Sequence, residues 1–128
     1  MKDWGLDGID VDREYPTGLI EANNMILLLE DIRKELDLYA DKSAPGHHSE
    51  LSIAAPAGPQ HYRILKLADI GKAVDHINLM TCDLTGSFHV IAGHTANLFT
   101  NEESLDTTEN CLEDPVSHFD NIKSGLPA

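Results

Sequence analysis

Asp7-Gly8-Ile9-Asp10-Val11-Asp12-Arg13-Glu14 alternates apolar and acidic side chains, with Ile9 and Val11 on one face and Asp10, Asp12 and Glu14 on the other. A period of two is the signature of a β-strand, here over residues 6–14, and Tyr15-Pro16-Thr17-Gly18 closes it. Three carboxylates at i, i+2 and i+4 project from one face within a few ångströms of one another. Like charges that close do not all ionise cheaply, so at least one should hold a proton near neutral pH and could serve as a general acid. An acidic, solvated edge strand or a divalent-metal site would produce the same spacing. Against those readings, Ile9 and Val11 should bury the opposite face, which puts the carboxylates inside a sheet or barrel, where a polar cluster needs a reason to exist.

Outward from this strand, Met1 to Trp4 before Gly5 resembles the last turn of a helix with a glycine stop. On the other side, Met25, Leu28, Leu29, Ile32, Leu36 and Tyr39 recur at spacings of three and four, which predicts an amphipathic helix over 19–41. Residues 43–50 form a polar loop, Leu51-Ser52-Ile53-Ala54-Ala55 before Pro56 reads as a short buried strand, and residues 61–74 carry helix-like spacing. A third strand is predicted over 76–82. The Gly, Ser, Thr and Asn-rich stretch from 84 to about 110 is too long for a plain connection, and a short helix is expected over 114–123. Strand, helix, strand, helix, strand, loop, helix is a βα ladder, whose natural product is a parallel sheet in a single α/β domain.

Composition narrows the function classes. The chain has 128 residues, 41% apolar and 24% charged, and a formal charge of −13 with only nine Lys and Arg. Nucleic acid, which needs clustered cations, is not an expected partner. No apolar run reaches the roughly 20 residues that span a bilayer, so no membrane role is expected. The first residues show no apolar stretch or cleavage site of a secretory signal. Cys82 and Cys111 show no CxxC spacing, and the seven histidines show no HxH or HExxH pattern, so no metal or other cofactor is indicated. Trp4 is expected to pack under the first strand, while Phe88 and Phe99 could either stack on a ligand or anchor a loop.

Asp7 to Pro16 resembles the DGxDxDWEYP signature of glycoside hydrolase family 18, with Arg13 where the family has Trp. Ile77-Asn78-Leu79-Met80-Thr81-Cys82-Asp83 is similar to that family's sixth barrel strand, which ends Met-x-Tyr-Asp, and Leu84 to Phe88 continues as the family does. Leu51 to Gly58 resembles the fifth strand, and Gly93 to Phe99 resembles the loop after the sixth strand in fungal chitinases.

The resemblance implies that residues 1–128 are a partial family 18 catalytic domain, about three βα units of a TIM (β/α)8 barrel covering strands four to six. A complete barrel takes about 250 residues. It further implies hydrolysis of β-1,4-N-acetylglucosamine linkages in chitin or chito-oligosaccharides, with retention, in which the sugar's acetamido oxygen replaces an enzyme nucleophile. By the same likeness Glu14 is the acid/base, Asp12 holds the acetamido N–H, Asp10 shares charge and proton with Asp12, and Asp83 contacts the sugar. Met80, Cys82, Tyr15, Phe88 and Asn97 are the expected substrate-binding positions, and the parent family is secreted.

Two departures weigh on activity. Cys82 stands where the family has a hydrogen-bonding Tyr, and loss of one such transition-state donor costs about 10²–10³ in rate. Arg13, by strand alternation, should point between sheet and helices and must find a partner there. Little or no turnover is therefore expected of the isolated chain, with open sheet edges inviting self-association. The competing readings are a non-catalytic chitin-binding relative and a truncated gene remnant; retention of Glu14 favours enzyme ancestry.

Overall fold

The computed structural model describes residues 2–82, 84–87, 90 and 92–99. The expected helix over 114–123, together with Asp83 and Phe88, lies outside the described residues.

A 3-10 turn, Lys2–Trp4, runs into Gly5, whose φ of 65° lies in the left-handed region that glycine adopts without a β-carbon clash. The helix-end reading of this segment holds, but Trp4 does not pack under the strand: it is 83% exposed. Strand β1, Gly8–Val11, is shorter than the alternating stretch, because hydrogen bonding to its neighbour stops at Val11. Gly8 is required there, since a β-carbon would run into the Glu50 carbonyl oxygen with Glu50 Cβ only 2.9 Å away.

Helix α1, Leu19–Ser43, follows Gly18. No side chain caps it in the usual way. Instead Glu21, in its first turn, reaches back to accept the Thr17 amide at 3.0 Å, where a carboxylate also meets the positive end of the helix dipole. Its buried line is Ala22, Met25, Leu29, Leu36 and Ala40, with Ile26 and Ile32 half-buried beside it. Leu28 and Tyr39 were expected on this face but are 49% and 38% exposed. At 100° per residue they fall on the flank of a stripe that two small alanines complete.

Strand β2, Glu50–Pro56, is followed by two single turns, α2 (Pro59–Tyr62) and α3 (Leu67–Ile70), and then β3, His76–Met80. The single helix expected over 61–74 is broken because Leu65 and Leu67 are both buried. Residues two apart lie on nearly opposite faces of a continuous helix, so burying both requires a break.

The sheet is parallel, in the order β1-β2-β3, with Asp10 opposite Ser52, Ser52 opposite His76 and Ala54 opposite Asn78. Side-chain alternation then divides it. Leu51, Ile53 and Ala55, with Val11 and Ile77, pack against Met25, Leu29, Leu36, Leu65, Leu67 and Ile70 of the helical layer. Asp10, Ser52 and Asn78 share the other face. Ile9 is the exception to the expected burial: it is 37% exposed on the outer flank of an edge strand, while its partner Leu51 in the central strand is fully buried. No helix among the described residues is long and apolar enough to cross a membrane.

The amino ends of β2 and β3 are tied together by Asp75. Its backbone N–H donates to Leu51 O at 2.8 Å while its Oδ2 accepts the Leu51 N–H at 2.8 Å, so a side chain extends the β2–β3 ladder by one step. The same carboxylate takes Arg33 from α1 at 3.1 Å and His48 at 2.7 Å, and Arg33 also donates to Ser49 O at 2.7 Å. Burial pushes the Asp75 carboxyl up, but the Leu51 amide, then His48 and Arg33, outweigh it and hold it below its ordinary value.

Candidate active site

Because all three strands are parallel, their carboxyl ends lie on one edge of the sheet, and the sequence places its chemistry there: Asp10 to Glu14 at the end of β1, Met80 to Cys82 at the end of β3. This edge is opposite the Asp75 network.

Asp10 is anchored by side chains of the two other strands. Ser52 Oγ donates to Asp10 Oδ1, and Asn78 Nδ2 donates to the same oxygen at 2.9 Å, with Asn78 Nδ2 and Ser52 Oγ 3.5 Å apart. Neither Ser52 nor Asn78 stood out in the sequence. The available signal was weak: each is a polar residue between two apolar neighbours in its strand, in phase with Asp10 once the register is known.

Asp12 and Glu14 follow the strand on exposed backbone. Tyr15 is half-buried beside the Glu14 side chain. Its pKa is pushed up to about 12, first by burial, then by the hydrogen bond and charge of Glu14, and further by Asp12 and Cys82. The phenol thus keeps its proton at any working pH. The His61 ring, from α2, lies against the Tyr15 ring with centroids 4.6 Å apart and planes at 34°.

Among the other expected residues, Met80 is half-buried at the end of β3 and Cys82 is an exposed free thiol. Asn97 is half-buried beyond a loop closed by the Leu84 N–H donating to Thr95 O at 2.9 Å. Phe99 is 62% exposed. Asp83 and Phe88 are not among the described residues.

Arg13 departs from expectation. It does not enter the layer between sheet and helices, because β1 has ended and strand alternation no longer applies. Its side chain is 55% exposed and pairs with Glu21 at 3.2 Å. The Thr17 amide, then Arg13, hold the Glu21 carboxyl below its ordinary range.

No group of three or more His, Cys, Asp or Glu side chains among the described residues is arranged to hold a metal ion. A groove of 380 Å³ between α1 and the turn at 71–73, lined by Glu30, Arg33, Lys34, Asp37 and Lys72 among others, lies on the helical side and includes none of the carboxylate series. Chemically, the carboxyl edge offers a fixed carboxylate at Asp10, two accessible ones at Asp12 and Glu14, and a permanent hydrogen-bond donor at Tyr15.

The chain is similar to known proteins along its whole length. The chain is similar to Endochitinase 1 of Metarhizium robertsii, with 53% identity over 128 residues, which cover 100% of this chain and 30% of that protein. It is 50% identical to Chitinase 1 of Aphanocladium album, again over 100% of this chain and 30% of the relative. It therefore spans about a third of the length of these relatives. Among solved structures, a family 18 N-acetylglucosaminidase from Paenibacillus barengoltzii matches with a TM-score of 0.84 and 30% identity, covering 98% of this chain and 38% of that one. Residues 1–119 match the model of glycosyl hydrolases family 18, and the chain belongs to that family.

Proposed function

We propose that this chain carries the acid-catalyst strand of an enzyme that cleaves β-1,4 linkages between N-acetylglucosamine units of chitin or chito-oligosaccharides. The observation that carries the reading is the series Asp10, Asp12 and Glu14 at the carboxyl edge of a parallel sheet in a family 18 chain. On this reading residues 1–128 are part of a catalytic domain, and β1, β2 and β3 are strands four to six of a (β/α)8 barrel whose interior is the face bearing Asp10, Ser52 and Asn78. Active sites of such barrels stand at the carboxyl ends of the strands.

Glu14 protonates the glycosidic oxygen as its bond to C1 breaks. The acetamido oxygen of the same sugar bonds to C1, and the nucleophile is thus supplied by the substrate. Asp12 accepts the acetamido N–H and balances the positive charge of the resulting ring, with Asp10 sharing charge behind it. Glu14, now a carboxylate, takes a proton from water as the water oxygen bonds to C1 and the acetamido oxygen leaves, giving net retention. Asp83 and Met80 flank the sugar, and Asn97 and Phe88 contribute from the following loop. Chitin is an extracellular polymer, so the whole protein would act outside the cell. The edge strands β1 and β3 offer backbone groups to a second copy or to further barrel strands.

The test is release from a fluorogenic chitobiose substrate by the chain and by Glu14→Gln. Loss of at least about 100-fold is expected for the variant. Equal turnover by both would remove Glu14 from its role. Cys82, in place of the family's Tyr donor, favours a second reading as a non-catalytic chitin binder, which chitin retention without turnover would support.

A further inference from the structure

We infer that Ser52 and Asn78 are positioning residues for Asp10, two donors from neighbouring strands that converge on one carboxylate oxygen and fix it at the foot of the series leading to Glu14. The inference rests on the catalytic reading of that series.

Both donors reach Oδ1 of Asp10, and no described donor reaches Oδ2. A carboxylate held by one oxygen from two directions loses its freedom about χ1 and χ2. Its second oxygen is left open toward the end of β1, beyond which Asp12 is the next carboxylate in sequence. The register explains how the donors arrive. Ser52 lies directly opposite Asp10, so its hydroxyl needs no reach. Asn78 lies opposite Ala54, two residues beyond Ser52, and must cross the central strand to β1. Ala54, on the same face directly opposite Asn78, leaves room for that crossing beside Ser52, and a longer side chain at position 54 would crowd it. Ser52 is 6% exposed, so its hydroxyl is a buried donor committed to this partner. The pairs span 42 and 68 residues of sequence, so the arrangement exists only once all three strands have assembled.

A simpler role would be to pin the β1–β2 register. That role costs stability when removed but leaves the Asp10 side chain in its rotamer whenever the sheet is folded. The two roles are separated by NMR of the 128-residue chain labelled with ¹³C at aspartate, measured alongside turnover of the fluorogenic chitobiose. In the parent, the Asp10 couplings should report one χ1 rotamer. Asn78→Leu and Ser52→Ala should each bring rotamer averaging, with kcat reduced about 10- to 100-fold and KM within about twofold. Ala54→Leu, which keeps both donors but blocks the path, should reproduce the Asn78→Leu averaging. Ser52→Thr, which keeps the hydroxyl, should restore the single rotamer.

Unchanged Asp10 couplings in Asn78→Leu and Ser52→Ala would overturn the inference, whatever happens to stability. If Asn78→Leu does not fold, Ser52→Ala, which deletes one oxygen, decides it alone. Measurable turnover by the parent that Glu14→Gln leaves unchanged would defeat the catalytic reading, whereas no turnover at all is what a partial barrel gives; in either case the couplings decide whether Asp10 is positioned.

Discussion

Replacing Asp75 by alanine removes three interactions at once, and their surroundings set the size of the effect. The Leu51 N–H loses its acceptor, and Leu51 is fully buried, so the amide is left unsatisfied at a cost of about 1–3 kcal/mol. Arg33, whose side chain is 16% exposed, loses one partner but keeps Asp37 and Ser49 O, which limits that loss to about 0.5–1 kcal/mol. The His48 contact is mostly exposed and adds little. The sum is about 2–4 kcal/mol, a large share of the roughly 5–15 kcal/mol that stabilises a domain. With a urea m-value of about 1–2 kcal/mol/M, the unfolding midpoint should fall by about 1–4 M. Far-UV circular dichroism is the right probe, because Trp4 is 83% exposed and its fluorescence would report little.

Asparagine is the sharper control. Its one carbonyl could still accept Leu51, but its amide would then meet the donors of Arg33, so Asp75→Asn should recover only part of the loss. The effect also carries a pH signature. The folded Asp75 pKa lies below its ordinary value of 3.8, so its stabilisation is complete above that value and is lost as pH falls through the lower folded value. The gap between parent and Asp75→Ala should therefore be constant from neutral pH down to about 4 and narrow below it. A midpoint unchanged by Asp75→Ala at neutral pH would refute the reasoning.

Gly8→Ala should destabilise by about 1–3 kcal/mol in the same urea titration, because its β-carbon meets backbone of β2 that cannot step aside without opening the β1–β2 ladder. Cys82→Tyr should raise kcat on the fluorogenic chitobiose by about 10²-fold if a missing phenol donor limits the chain, and a rate equal to the parent's would show that the limit lies elsewhere. Tyr15→Phe should lower kcat by about tenfold without moving the alkaline limb of the pH–rate profile, since a phenol that titrates at about 12 contributes nothing to that limb.

What the sequence made legible was local. The alternation around Asp10 and the three-four spacing of α1 are properties of neighbouring residues, and both elements form, with α1 ending two residues beyond the expected 41. The break between α2 and α3 was hidden because Ile64, Leu65, Leu67 and Ile70 satisfy helical spacing in part, and only the packing surface decides that Leu65 and Leu67 both turn inward. The fate of Arg13 depended on where β1 stops, which is set by pairing with β2 rather than by its own residues. Ser52 and Asn78 became candidates only through register, a relation between segments that no periodicity encodes. The roles of Asp83 and Cys82 were suggested by family likeness alone, since nothing in their spacing marks them.

The two ends of the sheet divide the work in a way that residue chemistry explains. At the amino edge Asp75 has its hydrogen-bonding capacity taken up by a backbone amide, a guanidinium and an imidazole, so it adds stability and leaves nothing for a ligand. At the carboxyl edge Asp10 is held by one oxygen only, and Asp12 and Glu14 extend beyond the ladder on exposed backbone. Carboxylates left open in this way add little to the fold, and on the proposed reading they are free to meet a sugar. The same distinction bears on Cys82. On the proposed catalytic reading, Asn78 directs a donor into the carboxylate series at Asp10, while Arg13 and Cys82 stand at its border, Arg13 paired with Glu21 and Cys82 as an exposed thiol. A change at either border position therefore leaves the hydrogen bonds to Asp10 in place.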